Sequence, residues 1–181
     1  MTHRVTACRP PAMRRRVSAS DAPAVVTRRY RLFVSNYPAL MTRIDFHSNV
    51  PDKISYACRL ARKARNANFQ IVILAQDRAQ LAQLDEKLWT FSEQDFLPHV
   101  MLDDALAAQT PILLTADSAM ESPHTQILIN LSDTSPTHFA RFERMFEVIS
   151  TEDADKSAGR DRYSFYKQRG YPLTHFVAEP T

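Results

Sequence analysis

The sequence predicts an α/β sandwich around a mostly parallel central sheet, and three observations carry that prediction. Short apolar runs alternate along the chain with longer stretches whose apolar residues recur every three or four positions, the order of strand and helix from which parallel sheets are built. One run, residues 69–75, holds Ile71, Val72, Ile73 and Leu74 without interruption, the pattern of a strand covered on both faces. The chain has 181 residues, 44% of them hydrophobic. That is enough for one well-buried domain and too little for two generous ones.

Residues 42–47 alternate as a strand does. Residues 50–65 follow with Ile54, Ala57, Cys58 and Ala61 on one helical stripe and Lys53, Arg59, Arg62, Lys63 and Arg65 on the outer face. After the buried strand, Asp77 is placed to cap a second helix, whose stripe is Leu81, Leu84 and Leu88 and which ends near Trp89. Beyond a loop at 90–99, apolar runs at 100–102, 111–115 and 126–131 read as further strands between polar connections. Ser135 and Pro136 open a predicted helix through Phe139, Phe142 and Met145, and residues 146–149 make a last strand. A final helix covers residues 152–169, with Phe165 turned to the core and Arg162, Tyr166 and Arg169 on its other sides.

The formal charge of +3 hides two unlike segments. Residues 1–40 carry eight arginines, no lysine and one acid, net +7, whereas residues 41–181 carry 15 bases and 19 acids, net −4. The folded part is mildly acidic, so the pI of about 9.0 is not a nucleic-acid signature. The first segment lacks any period, is broken by Pro10, Pro11, Pro23 and Pro38, and reads as a disordered extension ahead of a single α/β domain at 41–181. Its longest apolar run, 22–26, contains Pro23, which argues against a secretory signal. An extension from a start codon read too early fits better than an organellar transit peptide, because Met41 opens the strand pattern. No apolar run approaches the roughly 20 residues that span a bilayer. Cys8 and Cys58 have no paired spacing, so the expectation is a reduced, disulfide-free cytoplasmic protein.

The two glycines, Gly159 and Gly170, both lie in or after the last helix. Phosphate-binding loops of α/β folds need glycines between the first strand and helix, where backbone amides approach the phosphates. Here that turn reads Phe46, His47, Ser48, Asn49, Val50, so no nucleotide-binding loop is expected. His47, His99, His124, His138 and His175 are scattered singly, without the spacing that sets two metal ligands on one helix face. Cys58 lies on the apolar stripe and reads as core, and Asp103 with Asp104, like Glu152, Asp153 and Asp155, reads as solvated loop and helix-start acid. No catalytic residue, metal or cofactor is expected.

Two constellations remain. Lys156, Arg160, Tyr163 and Lys167 share one face of the last helix at spacings of four, three and four. A cationic face with an aromatic floor suits capture of a carboxylate or phosphate beside an apolar side chain, and it equally describes a solvated helix with interleaved charges. The other constellation follows the second helix: Trp89, Phe91, Phe96 and Leu97 crowd into a loop that stops at Pro98. Such a block either closes the sheet edge or docks a partner, and tryptophan is enriched where partners bind.

The opening strand, Leu84, Asp85, Leu88 and Trp89 with Phe96, Leu97, Pro98 and His99, the strand at 127–131, and the closing Arg162, Tyr163, Tyr166, Lys167, Gly170 and Tyr171 together resemble the chi subunits of bacterial DNA polymerase III. The resemblance covers residues 41–176. It implies a Rossmann-like three-layer α/β sandwich without nucleotide binding and a non-catalytic role in the clamp loader. It also implies two partners, the psi subunit and the acidic, phenylalanine-terminated tail of single-stranded-DNA-binding protein. On that resemblance the psi side takes Trp89 and Phe96 with Leu97 and Pro98 as neighbours. The tail takes Lys156, Arg160 and Tyr163, with Ile149 as an apolar wall and Lys167 in support. The chain is expected to be a monomer alone and a heterodimer with psi.

One departure stands out. Ser164 follows the tyrosine where the family has a basic residue, and Gly159 interrupts the helix at a cost of about 1 kcal/mol relative to alanine. The alternative to an adaptor is a direct single-stranded nucleic-acid binder using the same basic C-terminal helix, helped by the Arg-rich tail.

Overall fold

Most of the buried side chains of the strands are the apolar residues that the sequence runs contain. In a computed structural model, which describes residues 41–92 and 96–178, these runs become seven strands in one sheet. In chain order the elements are β1 (Arg43–Val50), α1 (Lys53–Asn66), β2 (Ile71–Leu74), α2 (Arg78–Thr90), β3 (His99–Met101), β4 (Ile112–Thr115) and β5 (Ile127–Asn130). A 3₁₀ turn (Phe139–Arg141), β6 (Arg144–Ser150), α3 (Asp153–Gln168) and β7 (Leu173–Val177) complete them. The strand order is β3-β4-β2-β5-β6-β1-β7, and every pairing is parallel. This is an α/β sandwich of the Rossmann-like kind. The segment 1–40, read from sequence as disordered, lies outside the described residues.

Each face of the sheet has its own core. On one, Ile71, Ile73, Ile112, Leu114, Ile129 and Val148 pack beneath Ala57, Cys58 and Ala61 of α1 and Leu84 and Leu88 of α2. On the other, Phe46, Val72, Leu113, Leu128, Met145 and Ile149 pack beneath Tyr166 of α3 and Phe139 and Phe142. Helix starts are fixed by the capping residues that the sequence offers. Asp52 accepts from Ile54 N at 2.9 Å and Ser55 N at 3.2 Å, and Asp77 accepts from Gln80 N at 2.8 Å.

Four expectations are corrected. The helix predicted through Phe139, Phe142 and Met145 is only the 3₁₀ turn, and Met145 already belongs to β6; Phe139 is buried among the rings of Phe165, Tyr166 and Tyr171, and Phe142 is buried in the same core. Residues 146–149 are not the last strand, since β7 follows α3 and forms the sheet edge beside β1. On α3 it is Tyr166 that is fully buried, whereas Phe165 is half-buried under the Arg169 guanidinium, 3.5 Å from its ring centre. Arg162, expected on an outer side, is buried and bound to Glu147.

The crevice at the carboxyl ends of β1, β2, β5 and β6 is where α/β sheets of this type usually take a nucleotide. Here Lys53 lines it. Its Nζ donates to the Leu131 carbonyl at 2.9 Å and pairs with Asp155 Oδ2 at 2.7 Å, and the same carboxylate accepts from Ser150 N at 2.7 Å. Burial works against ionisation of Asp155, but the Lys53 hydrogen bond and the Ser150 amide outweigh it and hold the carboxyl below its usual range. An internal ion pair thus stands where phosphates would bind.

Candidate functional site

The cationic face of α3 overlooks a cleft of about 530 Å³ built by four elements: α3 from Lys156 to Ser164, the ends of β1 and β6, and His175 of β7. Ile149, near the end of β6, is its buried apolar wall. Gly159 is what lets α3 lie so close. A Cβ at that position would stand 2.5 Å from Ile149 Cδ1 and 3.1 Å from Cγ1, so the residue that weakens the helix locally brings it against the wall.

Tyr163 stands edge-on to the buried Phe46 ring, 5.1 Å between centroids, and remains 36% exposed. Its ring is thereby fixed as a floor with one side open. Lys156 reaches the exposed Asp153 carboxylate only at 3.6 Å, and Arg160 makes no ion pair among the described residues. Both heads are available to an incoming anion. Across the cleft, Ser48 Oγ and His175 Nε2 lie 2.7 Å apart. Asn49, in the left-handed region at φ 61°, marks the bulge where the β1–β6 register shifts.

Lys156, Arg160, Tyr163 and Ile149 therefore meet in one cleft, as the sequence reading groups them. Lys167 is exposed on the same helix but does not line the cleft. The Ser164 hydroxyl donates to the Arg160 carbonyl at 3.0 Å, so it is spent on its own helix. Phe46, Ser48, Asn49 and His175 escaped the sequence reading, because their place in the site depends on β7 returning beside β1. Cation heads over an apolar wall and an aromatic floor can bind a carboxylate and pack its hydrophobic neighbour.

The second cluster sits where α2 runs into β3. Trp89 is 57% exposed and Phe96 70% exposed, with ring centroids 5.6 Å apart. Trp89 also leans on His99 at 4.8 Å, and His99 is held by Nδ1 at 2.7 Å from the Leu97 carbonyl. The Asp85 carboxylate stands 3.2 Å from His99 Nε2, within ion-pair reach but not aligned as a hydrogen bond. Leu97, carried as part of this surface, is 3% exposed and packs in the core beside Leu84 and Leu88. It anchors the loop from beneath, while Pro98 is half-buried.

No group of side chains among the described residues has the makings of a metal site. Burial pushes the Cys58 thiol up to about 12, which removes it as a nucleophile at neutral pH. No helix among the described residues is long and apolar enough to cross a membrane.

A family model described as "DNA polymerase III chi subunit, HolC" matches residues 41–174. A Pseudomonas aeruginosa protein named DNA polymerase III subunit chi is 34% identical over 137 residues, covering 74% of this chain and 94% of that protein. Proteins of the same name from Haemophilus influenzae and Escherichia coli are 27% and 25% identical over 118 and 116 residues, covering 65% and 64% of this chain and 82% and 79% of theirs. With residues 41–174 matched by the family model and a relative 34% identical along nearly its whole length, the chain belongs to the chi-subunit family of DNA polymerase III.

Proposed function

We propose that this protein is a non-catalytic adaptor of the replicative polymerase. In this reading the α3 cleft takes the acidic, phenylalanine-terminated tail of single-stranded-DNA-binding protein, and the Trp89 and Phe96 surface takes the psi subunit of the clamp loader. One observation carries the reading: Lys156 and Arg160 stand at the mouth of a cleft whose wall is Ile149 and whose floor is Tyr163. A chain-terminal carboxylate beside a phenyl ring has the matching chemistry, an anion for the cations and an apolar ring for the wall. The exposed indole and phenyl rings of the second cluster form an apolar patch of the kind that anchors protein interfaces. Their replication role follows from the family; the two partners are the finer proposal.

The test is a fluorescence titration of the full chain with a labelled acidic peptide ending in Asp-Ile-Pro-Phe, at low and moderate salt. Saturable binding is expected that weakens with salt, because charges near a surface are screened within about 8 Å at physiological ionic strength. Arg160→Ala and Lys156→Ala should each weaken it about tenfold, the effect of losing one charge-assisted hydrogen bond of roughly 1.5 kcal/mol. Trp89→Ala should leave it unchanged. Unaltered affinity in Arg160→Ala would remove the cleft from the proposal.

A further inference from the structure

Helix α1 carries five cations, Lys53, Arg59, Arg62, Lys63 and Arg65, and no acid. Lys53 is used inside the fold and Arg62 lies over the Phe91 ring at 5.4 Å, whereas Arg59 and Lys63 line a different cavity from the tail cleft. The folded part of the chain carries 15 bases against 19 acids, so this helix is a local reversal of a mildly acidic background.

Beside it runs a groove of about 670 Å³ between the C-terminal half of α1 and the strands β6, β1 and β7. Among the described residues, two helices, α1 and α2, pack on this face of the seven-stranded sheet. Arg59, Lys63 and Arg144 line the groove, and no acidic side chain among the described residues does. Lys63 is exposed. Arg144 is fixed by the buried Asp45 carboxylate and lies over the Phe146 ring at 4.8 Å; the Arg59 guanidinium lies over Tyr56 at 5.1 Å. The aromatic residues are arranged as platforms. Phe176 stacks one face on the His47 imidazole, 5.1 Å away and 17° from parallel, and is 42% exposed. Phe69, at the other end of the groove, is 39% exposed.

We propose that this groove binds single-stranded nucleic acid, with Lys63, Arg59 and Arg144 contacting phosphates and Phe176 and Phe69 stacking on bases. Cations that track a backbone and rings that accept any base face are the two components of sequence-tolerant single-strand binding. A duplex hides its base faces, and an acidic peptide without rings would leave both phenyl platforms bare. Among the ligands that the cations admit, a single strand uses the whole lining.

The test uses the full chain and a fluorescein-labelled oligothymidylate of about 12 nucleotides, within the span of known single-strand sites. Three phosphate contacts predict affinity falling roughly twentyfold between about 50 and 200 mM salt. Lys63→Glu should weaken binding about tenfold and flatten the salt slope by about one. Phe176→Ala should weaken it about tenfold with the slope unchanged, as loss of one stacked base would. Both variants leave the arginines of residues 1–40 in place, so their effect separates the groove from that segment. Both should fold and bind the acidic tail peptide as the parent does, and Arg160→Ala should bind the oligonucleotide normally. Photocrosslinking with iodouracil-substituted DNA should label the peptides containing Phe69, Tyr56 or Phe176. Parent-like DNA affinity in both variants, labels confined to other segments, or absence of binding would each overturn the proposal. So would displacement of the DNA by polyglutamate at equal charge concentration, which would make the groove an acidic-peptide site.

Discussion

Gly159 shows how one atom can set a binding surface. Its missing Cβ is the space that Ile149 occupies, with Cδ1 2.5 Å from where that carbon would be. In Gly159→Ala two effects oppose each other. Alanine favours the helix by about 1 kcal/mol, and driving the buried Ile149 side chain off its rotamer costs about 0.5–1.5 kcal/mol. The terms nearly cancel, so urea denaturation should find stability within about 1 kcal/mol of the parent. The cleft does not escape so lightly. The displaced Ile149 methyl group must move toward the space between Lys156, Arg160 and Tyr163, and peptide affinity should fall several-fold in the titration described above. Unchanged affinity would mean that Ile149 yields in another direction and is not the wall of the cleft.

At the scale of elements, α3 is held to the sheet by a buried polar network. Glu147 of β6 accepts from Arg162 Nε at 3.0 Å, from Tyr166 OH at 2.9 Å and from Asn130 Nδ2 at 3.1 Å, and Arg162 NH1 donates to the Asp133 carbonyl at 2.7 Å. Burial pushes the Glu147 carboxyl above its usual range, against the pull of Arg162. Burial, with Glu147 beside it, also raises the Tyr166 phenol. A buried ion pair of this kind is stabilising mainly in the sense that breaking it is costly. Glu147→Ala, which strands Arg162, should destabilise the fold by about 3–5 kcal/mol, and Glu147→Leu with Arg162→Met together should cost far less. Denaturant midpoints of the three proteins check this; equal losses in the single and double variants would show that the stranded Arg162 is not the source of the cost. The network also marks where sequence reading reached its limit. Strands β2, β4 and β5 were legible because unbroken apolar runs have one structural meaning, and the cation row of α3 was legible because it needs only helical spacing. Glu147 inside the run Met145, Phe146, Val148, Ile149 was the available signal that a buried cation must answer it, but Arg162 is 15 residues away on a different element. β7 was missed because this edge strand, Leu173–Val177, is half-buried at its first two residues and exposed at the other three, and Thr174 and His175 inside it interrupt any apolar run.

At the scale of the molecule, the two clusters assigned to partners sit at opposite edges of the sheet. Trp89 packs on His99 at the start of β3, and the tail cleft ends at His175 of β7. Seven strands spaced about 4.8 Å apart put those edges roughly 29 Å from each other, so two partners can be held without competing for space. Global stability has its own titrating group. Desolvation by burial lowers the His47 imidazole from 6.5 to about 4, with Asp45 opposing and Arg144 assisting. The unfolded chain takes up a proton as pH falls below 6.5 and the folded chain refuses it until about 4. The stability present above pH 6.5 is therefore lost through that window, by on the order of 3 kcal/mol. In His47→Phe, which keeps the stack on Phe176, melting temperature should fall less between pH 6.5 and 4 than in the parent; parallel curves would show that His47 does not set the acid limit. The pairing of β1 carries a further consequence. Arg43 of β1 lies beside Arg144 of β6, 101 positions later, and the other neighbour of β1 is β7. On the ribosome the first strand of the sheet therefore emerges with nothing to pair with and waits until most of the chain has been made, while β2, β4 and β5 assemble ahead of it. Synthesis runs from one end to the other, but β1 can join the sheet only once β6 or β7 has been made, and β7, the last strand translated, covers the side of β1 that β6 leaves open.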